Sequence, residues 1–138
     1  MTAPDEESLA DAFWSVAARL RRQSRHTLGA HEILPSQARA LGTLVRHGNM
    51  RLRELSEYLR IAPRSTTEVV DALEERGLVG RRPDSGDRRA TLVEVTDEGR
   101  RTHDAFRDAR REQAEQIFAG LSAKDRTELA RILRKLID

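Results

Sequence analysis

Apolar residues recur at intervals of three and four along most of this chain, and the intervals break at glycine, proline and short polar turns, dividing it into helices. Over residues 6 to 29, Leu9, Phe13, Val16, Ala17, Leu20 and Leu28 trace one face of a long amphipathic helix; its outer face carries Arg19, Arg21, Arg22 and Arg25. Pro35 suits the first position of a second helix, with Ala38, Leu41, Leu44 and Val45 inward and Gly48-Asn49 as its stop. A short helix over 52 to 59 turns Leu52, Leu55 and Leu59 inward, with Ser56 small enough for another helix to approach closely. Arg60-Ile61-Ala62 is the turn, and Pro63 starts the next helix. There Thr66, Val69, Val70 and Leu73 share one face, and Gly77 ends the helix where a left-handed cap suits glycine.

The pattern then becomes that of strands. Two β-prone arms, 78 to 82 and 90 to 95, flank the charged tip Pro83-Asp84-Ser85-Gly86-Asp87-Arg88-Arg89, which reads as a β-hairpin. After it, Thr96 is placed as an N-cap, and Asp97 and Glu98 put negative charge in the first turn of a helix running to about Phe118. At about 1.5 Å per residue that helix is some 30 Å long, too long for a small core to cover. Ser122 and Asp125 open a last helix whose apolar stripe, Leu129, Ile132, Leu133, Leu136 and Ile137, needs a partner. Two short helices at helix-turn-helix spacing followed by a hairpin predict a mainly α fold with a small β-wing: a winged helix-turn-helix flanked by N- and C-terminal helices.

Charge sharpens this picture. Charged residues make up 35% of the 138, against roughly 25% in ordinary domains. The net charge is only +2, yet residues 1 to 18 hold four acids and no base, whereas residues 19 to 60 hold nine arginines against three glutamates. Lysine occurs only at Lys124 and Lys135, and arginine holds phosphate or guanine bidentately. A recognition helix enters the major groove amino end first, so Arg64, Ser65, Thr67 and Glu68, outward in the first two turns, are placed to reach base edges. Thr66 beside them, and Ser36 and Gln37 at the start of the second helix, join the candidate DNA-facing set. At the wing tip the candidates are Asp87, Arg88 and Arg89, with Asp87 close enough to brace one arginine while the other reaches outward; Arg89, next to the returning strand, is favoured for the minor groove.

Other chemistries are poorly served. Without cysteine there are no disulfides, thiolate zinc sites or thiol-based sensing. His26, His31, His47 and His103 are scattered with no metal-ligand spacing, so no metal or cofactor is expected; His31 and Glu32 would be the best ligands otherwise. No glycine-rich phosphate loop, nucleophile elbow or paired metal ligands point to an enzyme. The acidic amino terminus is not a leader and no run approaches about 18 apolar residues, which predicts a cytoplasmic protein that does not enter membranes.

The stretches LPSQARAL, LRELSEYLRIAPRSTTEVVDALEERGLV and DRRATLVEVTDEG, with Asp87, Arg89, Leu92, Thr96 and Gly99 in register, resemble the multiple-antibiotic-resistance regulator (MarR) family of bacterial winged-helix transcription factors. With the flanking helices in matching order, the resemblance extends over almost the whole chain. It implies an obligate homodimer in which residues 6–33 and 97–138 supply dimerisation helices around a DNA-binding part at 34–96, all within a single domain 1–138. It also implies a recognition helix at 63–76 and a wing arginine, Arg89, in the minor groove. Glu68 stands where the family often has a basic or polar residue, and Arg64 where a small hydroxyl residue is frequent; both leave the operator sequence open. Family members commonly respond to small aromatic or phenolic acids, and the resemblance implies such an effector as an option here, with Phe13, Trp14 and His47 as candidate pocket residues and Arg19, Arg22 and Arg46 able to hold a carboxylate. The expected function is a sequence-specific, homodimeric repressor binding an inverted repeat in duplex DNA. The competing reading is a winged-helix protein-interaction module without specific DNA binding.

Overall fold

A computed structural model describes residues 8–137. Its elements are α1 (Leu9–Ala30), α2 (Pro35–His47), β1 (Met50–Arg51), α3 (Leu52–Leu59), α4 (Pro63–Glu75), β2 (Val79–Asp84), β3 (Asp87–Val95), α5 (Asp97–Phe118) and α6 (Ala123–Ile137). The chain forms two compact units, one of residues 24–107 and one of residues 1–23 with 108–138, so α1 and α5 each run through both.

The unit of residues 24–107 is a winged helix. Leu41 of α2, Leu55 of α3, Val70 and Leu73 of α4 and Val93 of β3 are fully buried and form its centre. The three strands lie in the order β1-β3-β2, all antiparallel. Strand β1, which period alone does not reveal in so short a segment, adds Met50 and Arg51 to the sheet opposite Val93 and Leu92. Pro83 sits on β2, an edge strand, where its missing N–H breaks no inner ladder. The boundaries expected at 33/34 and 96/97 fall inside this unit, because Ile33 and Phe106 are buried in its core and Leu28 packs against it.

Local chemistry sets the helix ends. The Asp11 N–H donates to Ser8 Oγ at 3.1 Å, which caps α1; the expected start at residue 6 lies outside the described residues. Gly99 N–H donates to Thr96 Oγ1 at 3.0 Å and Asp125 N–H to Ser122 Oγ at 3.1 Å, so both expected N-caps form. Gly48 and Gly77 take positive φ of 85° and 75° after α2 and α4. In the helix-turn-helix, Ser56 Oγ donates to Ile61 O at 2.8 Å, and Arg60 closes α3 in the left-handed region at φ 55°. His103 of α5 lies over Gly42 of α2, and burial first, then Arg107, Arg46 and Arg100, holds its pKa below the usual histidine value against the opposing pull of Asp104.

In the unit of residues 1–23 and 108–138, Gln113 Nε2 donates to Gln23 O at 3.3 Å and Arg126 pairs with Glu115. Neither α1 nor α6 has a buried residue. Phe13 and Trp14 are 54% and 59% exposed, and Ile132, Leu133, Leu136 and Ile137 between 38% and 82%.

Candidate nucleic-acid interface

Two helices differ from the rest at their amino ends. Helices α1, α3, α5 and α6 carry an acid in the first turn, at Asp11, Glu54, Asp97 with Glu98, and Asp125. Helices α2 and α4 carry none, and both begin with proline. Their positive dipole ends and spare N–H groups are therefore not neutralised by a side chain of their own first turn, which is the arrangement that accepts a phosphate.

Around the start of α4, Arg64, Ser65, Thr67 and Glu68 are exposed. Arg64 has no hydrogen-bond or ion-pair partner among the described residues. Thr67 donates its hydroxyl proton to Pro63 O at 3.0 Å, which leaves the methyl group and a lone pair to face outward. Thr66 does not belong with them. It is fully buried and its Oγ1 donates to Ala62 O at 3.3 Å, so the apolar period that places it inward prevails over its hydroxyl chemistry. At the start of α2, Ser36 and Gln37 are half-buried, and Gln37 Oε1 accepts from Leu34 N–H at 3.3 Å, so this side chain caps its own helix and keeps its amide protons available.

The strands of the wing are longer than its sequence suggests. Strands β2 and β3 continue to Asp84 and Asp87, leaving only Ser85-Gly86 as the turn rather than all of residues 83–89. Ion pairs explain the extension. Arg51 of β1 reaches Asp84 with Nη2 at 2.8 Å and Nε at 3.2 Å, and Gly86 N–H donates to the other oxygen of Asp84 at 2.9 Å. The Gly86 amide and then Arg51 hold the Asp84 carboxyl below the usual carboxylate range, and Asp84 in turn raises the pKa of Arg51. Arg81 of β2 donates to Asp71 at 2.6 Å and Glu74 at 3.2 Å, tying the wing to α4; Asp71 is the first cause of its raised pKa. Arg82 faces Glu94 at 3.2 Å.

This pairing sorts the four hairpin arginines. Arg81 and Arg82 are held by carboxylates, whereas Arg88 and Arg89 are exposed with no ion pair among the described residues. Asp87 braces the wing, but through the main chain: its carboxylate accepts the Arg89 N–H at 3.0 Å and leaves both guanidinium groups free. The Arg51–Asp84 and Arg81–Asp71–Glu74 pairs escape sequence reasoning because their partners are up to 33 residues apart. Only the spacing of Asp71 and Glu74 on one helix face hints at a common partner.

Of the pocket candidates, Phe13 and Trp14 stand edge-on at 5.8 Å, with the Arg21 guanidinium 5.8 Å from the Trp14 ring. His47 stacks on Tyr58 at 4.4 Å within the winged helix. Among the described residues no group of three acidic or histidine side chains is placed to hold a metal ion.

The MarR family pattern matches residues 33–91, which span the second helix, the helix-turn-helix and most of the wing. Over 120 residues the chain is 35% identical to the HTH-type transcriptional regulator Mb0904 of Mycobacterium bovis, covering 87% of this chain and 81% of that protein. The chain belongs to the MarR family. A MarR family protein from Bacillus stearothermophilus superposes with a TM-score of 0.83 at 28% identity, covering 93% of this chain and 89% of that one. A Staphylococcus aureus MepR mutant bound to an oligodeoxyribonucleotide shares the MarR fold at 19% identity, with a TM-score of 0.77 over 96% of this chain and 97% of that one.

Proposed function

We propose that this MarR-family transcriptional regulator acts in the cytoplasm as a homodimeric repressor that reads an inverted repeat in duplex DNA. The observation that carries this reading lies on one winged helix: the amino ends of α2 and α4 have no acid in their first turn, and Arg64, Arg88 and Arg89 are exposed with no ion pair among the described residues. Arg64, Ser65, Thr67 and Glu68 are the groups offered to base edges, through guanine acceptors for arginine and the cytosine amino group for glutamate. Ser36, Gln37 and the helix ends take phosphates. Arg88 and Arg89 extend from the wing toward the minor groove, with Asp87 holding the main chain that carries them. The uncovered apolar stripes of α1 and α6 favour a second copy as the partner. A small aromatic or phenolic acid is the effector class, with Phe13, Trp14 and His47 as the residues to vary.

The test is selection of bound sequences from a random duplex library at near-physiological salt. An enriched inverted repeat with half-site centres about 10 base pairs apart is expected, with affinity falling steeply as salt rises. Recovery of unenriched DNA, or of none, would transfer the winged helix to a protein-binding role.

A further inference from the structure

The carboxyl end of α1 is completed from outside its own sequence. Its last turn holds no basic residue to meet the negative end of the helix dipole. The chain leaves the helix through Glu32 in the left-handed region at φ 57°, a conformation that glycine takes more easily. Ile33 N–H donates back to Leu28 O at 3.0 Å and Glu32 N–H to Gly29 O at 3.1 Å, closing the end in a Schellman-like turn. The carbonyls of His31 and Glu32 are both taken by a single side chain, 45 and 44 residues away. Arg76 Nη1 donates to Glu32 O at 2.7 Å and Nη2 to His31 O at 3.1 Å.

Arg76 is the C-cap residue of α4. It is exposed and follows Glu74 and Glu75 directly, yet no carboxylate pairs with it among the described residues. Its planar guanidinium meets two adjacent carbonyls with two donors in a fixed fork, which a point-like ammonium on a flexible stem does not pre-organise. The same elbow meets α5, since the His31 ring stands edge-on to buried Phe106 at 4.9 Å.

We propose that Arg76 is a positioning residue for DNA recognition: a two-pronged latch through which the end of α1 sets the direction in which α4 presents Arg64 to Glu68. The proposal rests on the DNA-binding reading above. Because α1 continues into the terminal-helix unit, the latch is a bond between the helix that reads bases and the helix that leads to the second copy. Its loss should therefore relax the tolerance for half-site spacing and leave base preference within each half-site unchanged.

The experiment uses the full chain as wild type, Arg76→Ala and Arg76→Lys. Each is put through the random-duplex selection, then titrated with the enriched repeat and with versions whose half-sites are one or two base pairs closer or farther apart. Wild type should prefer its own spacing by about tenfold, Arg76→Ala by about twofold with the same half-site consensus, and Arg76→Lys should fall between, the roughly fivefold span matching the net worth of an ordinary hydrogen bond. Amide exchange at residues 31–34 should quicken in Arg76→Ala while exchange in the sheet stays as in wild type. An unchanged spacing profile, or an equal loss of affinity at every spacing, would overturn the latch. If wild type enriches a repeat and Arg76→Ala does not discriminate differently, the latch alone fails; if wild type enriches nothing, the DNA-binding reading fails and the latch with it.

Discussion

Gly99 shows how much one position can decide. It sits in the first turn of α5, and a Cβ there would lie 2.0 Å from Leu78 O and 2.9 Å from Val95 Cγ1. Leu78 O already accepts the Thr96 N–H at 3.1 Å, so main chain rather than a movable side chain bounds the space. Overpacking commonly costs about 1–3 kcal/mol, and a clash with main chain belongs at or above the upper end. Gly99→Ala should lower the thermal midpoint by about 10 °C, given roughly 3 °C per kcal/mol for a chain of this size. Gly80→Ala is the control, because nothing lies within 4 Å of its added Cβ; equal midpoints for the two variants would refute the steric argument. The sequence places Gly99 in the MarR-like register and Thr66 on an inward face, but the carbonyl that excludes a methyl at one and the burial that removes the other from the interface come from packing.

At the scale of elements, the hairpin is the informative case. Its existence follows from alternation and turn residues, whereas its length follows from Arg51 and Asp84, which belong to different strands and are 33 residues apart. Asp84 is stabilised in its ionised form in the fold, first by the Gly86 amide and then by Arg51. A carboxyl with a depressed folded pKa contributes stability that is fully present above its unfolded value of about 3.9 and lost as pH falls through the folded value. Amide exchange in the wing should thus be unaffected by pairing between pH 8 and pH 5 beyond its intrinsic rate, and protection at residues 84–89 should collapse below about pH 4. Asp84→Asn should show that low protection already at neutral pH. Equal protection of the variant and wild type would assign the wing's order to the Arg81 pairs instead.

Across the whole molecule, the uncovered apolar faces govern the outcome. Leu136 and Ile137 are 73% and 82% exposed, and Leu9 88%, which a lone chain in water has no means to satisfy. On the homodimer reading, Leu133→Asp with Leu136→Asp should halve the mass seen by sedimentation and leave the winged-helix amides protected, since that unit has its own core. DNA affinity should drop by at least about 100-fold, because two half-sites no longer bind as one event. A double variant that still sediments with the wild-type mass would place the dimer contact elsewhere. The order of helices, the wing, the caps at Thr96 and Ser122 and the partnerless stripe are all legible in the chain, because each depends on residues within a few positions of one another. What needed the folded molecule are the longer-range electrostatic choices: Arg81 and Arg82 held by carboxylates while Arg88 and Arg89 have no ion pair among the described residues, and Arg76 closing α1. All arginines look alike in a sequence. Which ones keep an unpaired charge depends on the acids and carbonyls that folding brings within 3 Å or so, and electrostatic attraction at that range is decided by position in space.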